Sequence, residues 1–81
     1  MNESIRLLDT VVATVNVPEH AVLAGDIGAV VDVYSTPEVA YDVEFVNPDG
    51  TMRALLTLAP YQVRRLSGED VLTTRQLPLA A

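Results

Sequence analysis

Apolar and polar residues alternate most strictly at Tyr41-Asp42-Val43-Glu44-Phe45. A period of two places Tyr41, Val43 and Phe45 on the inner face of a strand, with Asp42 and Glu44 turned outward. Around this segment the chain divides into short β-branched runs separated by glycine and proline. Residues 9–15 form the first run, with Val11, Ala13 and Val15 on one face and Thr10, Val12 and Thr14 on the other. A loop over residues 16–26 is broken by Pro18 and closed by Gly25-Asp26, the start of Gly25-Asp26-Ile27-Gly28, where glycine permits a tight turn. The longest strand, residues 27–34, follows at once and sets Ile27, Ala29, Val31 and Val33 on one face. Ser35-Thr36-Pro37-Glu38 marks the turn into the alternating strand.

Asn47-Pro48-Asp49-Gly50 is a hairpin turn, and a fourth strand over residues 51–58 leaves it. Two rules disagree there. A three-residue Pro-Asp-Gly loop sets Phe45 opposite Arg53, whereas an apolar core wants Met52, Ala54, Leu56 and Leu58 inside. The core rule puts Phe45 opposite Met52 and Glu44 opposite Arg53, and it takes precedence because a one-residue slip turns every side chain over. It requires a four-residue loop or a bulge nearby. Ala59-Pro60-Tyr61-Gln62 predicts a 3₁₀ turn before a last strand at residues 63–66. The expected fold is all-β, a five-stranded SH3-like barrel over residues 1–66, closed so that no sheet edge is left open. Residues 67–81 have no sustained period and read as a tail, flexible or ordered against a partner.

At 81 residues and without cysteine, the chain holds one domain, and no disulfide or thiolate metal site can reinforce it. Its core supplies about 3–5 kcal/mol. Eleven acids against five bases give a net charge of −6, and all five bases are arginine. Phosphate backbones are bound through clustered cations, so this balance argues against nucleic acid and for a basic protein partner. No apolar run reaches membrane-spanning length, and Met1-Asn2-Glu3-Ser4-Ile5-Arg6 lacks the layout of a signal peptide, so a cytoplasmic location is expected.

Three stretches, residues 7–34, Tyr41-Asp42-Val43-Glu44-Phe45-Val46-Asn47-Pro48-Asp49-Gly50 and residues 54–66, resemble a bacterial family of unknown function, number 4926. The resemblance rests on Gly25-Asp26-Ile27-Gly28-Ala29-Val30-Val31, on Val43-Glu44-Phe45 and on Leu56-Thr57-Leu58 followed by Leu66. It implies an SH3-like barrel, akin in shape to the accessory domain of nitrile hydratase β-subunits and to ribosomal KOW modules. It brings no catalytic residue. It implies an accessory, immunity or antitoxin-type protein encoded beside its partner.

No constellation in the chain assembles acid–base or nucleophilic chemistry, and no enzyme, cofactor or metal site is expected. His20 is the only imidazole and has just Glu19 beside it. Gly25 and Gly28 are followed by neither lysine nor helix, so they shape a turn and cradle no phosphate. The one cluster of note is Asp32, Asp42 and Glu44, which share an outward face if the second and third strands pair, with Asp32 near Glu44. Arg53 can neutralise it internally, or a basic partner can do so from outside. The expected contact residues are Asp32, Tyr34, Asp42, Glu44 and Tyr61, the last in the 3₁₀ turn beside Arg64 and Arg65. A second reading is a homo-oligomer that buries Leu72, Leu77 and Leu79, or Val12, Val30 and Leu55, against a copy of itself. A KOW-like nucleic-acid binder is the third, disfavoured by charge.

Overall fold

Five β-branched or alternating segments become five antiparallel strands in the computed structural model, which describes residues 4–77. They are β1 (Thr10–Ala13), β2 (Ile27–Tyr34), β3 (Ala40–Val46), β4 (Met52–Leu58) and β5 (Val63–Arg65). One 3₁₀ turn, Pro18–His20, lies in the loop after β1, and a second, Pro60–Gln62, precedes β5 as the sequence predicts. The strand order is β4-β3-β2-β1-β5. No ladder joins β4 to β5, so the expected closure is not made by hydrogen bonds. The sheet bends instead: residues from both edge strands, Leu56, Leu58 and Val63, enter one core with Val11, Val30 and Phe45. Val22, at an isolated bridge with Val17 in the long loop, completes it.

Two bulges decide which side chains face that core. In β2, Val30 pairs with Val43 and Asp32 with Asp42, leaving Val31 without an opposite residue. Gly28 and Val30 therefore point inward while Ile27 and Ala29 point outward, and beyond the bulge Val33 returns to the inner side opposite Tyr41. The single face expected for Ile27, Ala29, Val31 and Val33 is thus corrected, and Val30 is fully buried. In β4, Ala54 pairs with Phe45 and Met52 with Val46, so Arg53 is the extra residue. The hairpin turn and the core are both satisfied by this device. Asn47 N–H donates to the Thr51 carbonyl at 2.8 Å and Gly50 takes a φ of 88°, which is a three-residue loop. The bulge then restores Ala54, Leu56 and Leu58 to the inside. Phe45 consequently faces Ala54, Glu44 faces Leu55, and Met52 lies 57% exposed rather than in the core.

Gly28 lies on the inner face of β2, where Val43 and Phe45 of β3 fill the space a side chain would need. A Cβ there would lie 2.6 Å from Val43 Cγ1 and 3.0 Å from both the Glu44 carbonyl oxygen and Phe45 Cε1. Gly25 serves the turn differently, through a φ of 96°. Adding a methyl group at Gly28 forces Val43 or the β3 backbone to move. Gly28→Ala is expected to destabilise the fold by about 1–3 kcal/mol in chemical denaturation, while the exposed Gly68→Ala changes it by less than about 0.5 kcal/mol.

Candidate functional site

Two surfaces collect the polar side chains. The first lies on the outer face of β2 and β3. Asp32 stands directly opposite Asp42 in the ladder, because the bulge at Val31 moves it there from the place opposite Tyr41, while Glu44 faces Ala29. Asp42 and Glu44, two residues apart on β3, share the outward face. The Tyr34 hydroxyl donates to Asp42 Oδ2 at 2.6 Å, and the Thr57 hydroxyl on β4 donates to Asp42 Oδ1 at 2.5 Å. These two bonds hold the Asp42 carboxyl below its ordinary range. Asp42 in turn raises the Tyr34 phenol to about 12, through the hydrogen bond first, then desolvation and the charges of Asp32 and Asp42.

No arginine pairs with Asp32, Asp42 or Glu44 among the described residues. Arg53, expected there, reaches the other way from its bulge and donates to the Val46 carbonyl at 2.7 Å and to Asp26 at 3.2 Å. Arg64 is bidentate on Asp70, and Arg65 pairs with Asp9 at 3.4 Å. Tyr61 is exposed in the second 3₁₀ turn, where its carbonyl accepts from the Thr14 hydroxyl at 2.8 Å. No hydrogen bond links its side chain to the acidic group among the described residues. Four of the five expected contact residues thus come together on one face, and Tyr61 is not tied to them. His20 is exposed, and among the described residues no three histidine or acidic side chains are placed to hold a metal ion. Among the described residues no helix is long and apolar enough to cross a membrane.

The second surface was not foreseen. On the outer face of β1, Val12 lies between Ile27 of β2 and Arg64 of β5. All three line an open groove of about 580 Å³, whose other wall is formed by residues 70–75 and Leu77. Val12, expected to be exposed, is only 6% so. The tail is anchored through Asp26. Arg75 donates to that carboxylate from Nε at 2.9 Å and from Nη2 at 2.5 Å, and Nη2 also donates to the Ala21 carbonyl at 3.0 Å. Asp26 further accepts from the Leu23 N–H at 3.0 Å and from Arg53. Burial alone would raise the Asp26 carboxyl, but the Arg75 hydrogen bond, the Leu23 amide and the two guanidinium charges outweigh it and hold it low. Leu77 is half-buried at the groove, Leu72 is exposed, and Leu79 lies outside the described residues. The signal for this surface was present in the sequence only as Asp26 between two turn glycines.

Two titrations check these assignments. Tyrosinate absorbance from Tyr34 is expected to develop at about 12, and Asp42→Asn is expected to bring it down toward the ordinary value of 10.0. A raised phenol pKa contributes stability that is complete below the unfolded value and is lost as pH rises through the folded one. Asp26 behaves oppositely. Its depressed folded pKa means that its contribution is complete above the unfolded value, near 3.8, and is lost as pH falls through the folded one. The Arg75 Nε–H resonance is expected to keep its bonded shift down to a pH below that of an unpaired aspartate, then to move to that of free arginine.

Comparison with known proteins gives a family and assigns no chemistry. Comparison with curated proteins found no match, and neither did comparison with solved structures. A family model described as Domain of unknown function (DUF4926) matches residues 7–65, which span all five strands and both 3₁₀ turns. The chain belongs to that family.

Proposed function

We propose that this protein is a non-catalytic binding module whose β2–β3 face docks on a basic surface of another protein. The observation that carries this reading is Asp32 set directly across the ladder from Asp42, with no arginine paired to either among the described residues. Like charges in that position oppose folding by up to about 1 kcal/mol. A lysine- or arginine-rich partner relieves that repulsion on binding. Tyr34 adds an amphipathic ring at the rim, fixed by its bond to Asp42. Glu44 extends the negative field toward the middle of the sheet. An immunity or antitoxin-like inhibitor, or the accessory subunit of a neighbouring gene product, acts in this way by covering a basic site without chemistry of its own.

The test is affinity capture from the native host at low salt, with wild type beside the double substitution Asp32→Asn, Glu44→Gln. These two side chains hold no other element in place, so the variant remains folded. A basic protein is expected on the wild-type chain, absent from the variant and released near 1 M salt, where screening acts over about 3 Å. Recovery of nothing at low salt, or equal recovery by the variant, overturns the reading.

A further inference from the structure

The grip on Arg75 has the form of a receptor. Asp26 presents both carboxylate oxygens to one edge of the guanidinium, and the Ala21 carbonyl takes a further N–H. This arrangement matches the planar fork of arginine and not the single point charge of lysine. The socket is built without its occupant. Ala21 is set by a left-handed φ of 58° at the end of the first 3₁₀ turn, and Asp26 is held by the Leu23 amide and Arg53. Beside it runs the apolar floor of Val12 and Ile27, and Leu77, half-buried, lines the same groove.

The occupant is held weakly by comparison. Among the described residues, 71–77 form no strand and make no backbone-to-backbone hydrogen bond, and Val71 and Leu72 are 84% and 66% exposed. The tail therefore rests on one arginine and on an apolar residue two positions later. We propose that the groove is a binding site for an extended segment of another protein carrying arginine followed, two residues on, by an apolar side chain. Arg75-Gln76-Leu77 is its tethered competitor. A tether of this length holds the tail at a local concentration in the millimolar range, so an incoming segment engages only when it binds more tightly than that. This site is distinct from the acidic β2–β3 face and does not rest on that reading.

The probe is a synthetic peptide of residues 70–81, added to the full-length chain carrying Arg75→Ala and Leu77→Ala. Both substitutions lie beyond the residues matched by the family model, and the amide spectrum of β1–β5 reports that the fold is kept. The peptide is expected to bind this variant about tenfold or more tightly than it binds wild type. Amide shifts should move at Ala21, Leu23 and Asp26. Lysine in place of the peptide's arginine is expected to weaken binding by about tenfold, and Asp26→Asn in the same background should abolish it. Asp32→Asn with Glu44→Gln should leave it unchanged. No binding at millimolar peptide, or equal binding by the lysine peptide, overturns the proposal. So does an Asp26-dependent dimer of the wild-type chain, which would assign the groove to exchange of tails between copies.

Discussion

A single carboxylate joins the parts of this molecule that the backbone ladder leaves separate. Asp26 caps the turn before β2 through the Leu23 amide, reaches across the sheet to Arg53 of β4, and fixes the tail through Arg75. Its position between Gly25 and Gly28 is what makes this geometry available. The first glycine turns the chain, and the second leaves the space on β2 that Val43 and Phe45 of β3 occupy. With both Asp26 and Arg53 largely shielded from water, loss of either leaves a charge without compensation, which is costlier than the pair is stabilising.

The distribution of charge follows from that centre. The arginines of β4, β5 and the tail are drawn to Asp26, Asp70 and Asp9, each within its own region. The β2–β3 face is left with acids alone. A net charge of −6 is thus not spread evenly over the surface. One end of the sheet is internally neutralised and folded over by the tail, while the other presents uncompensated carboxylates to solvent.

The elements were legible in the sequence where the pattern was unambiguous. Tyr41 to Phe45 alternates without exception, and its inner and outer faces are those the period of two requires. The 3₁₀ turn at Pro60 and the limits of β2 followed from proline and glycine. What could not be read was phase. Ile27-Gly28-Ala29-Val30-Val31 is apolar throughout, so either face could serve the core, and hydrophobicity gave no reason to choose Gly28 and Val30. Only the close contact of Gly28 with Val43 settles it. The register of Met52 and Arg53 was hidden because a bulge lets the turn and the core each follow its own rule. The Asp26–Arg75 contact spans 49 residues, and nothing local in either segment announces the other. The β3 half of the acidic face, Asp42 and Glu44, was visible through alternation, whereas Asp32 joins it only because the bulge at Val31 turns it outward.

Val31 has a consequence for how this fold can change over time. It occupies a place in the chain but none in the ladder, since its neighbours Val30 and Asp32 already pair with the adjacent residues Val43 and Asp42. Removing that one codon would straighten β2 and keep every remaining side chain on its present side. Removing one residue from the middle of β3, which carries no extra residue, would instead invert the rest of that strand. Within the strands, a change of length is therefore absorbed at the two bulges, around Val31 and Arg53, where alternation on either side survives it.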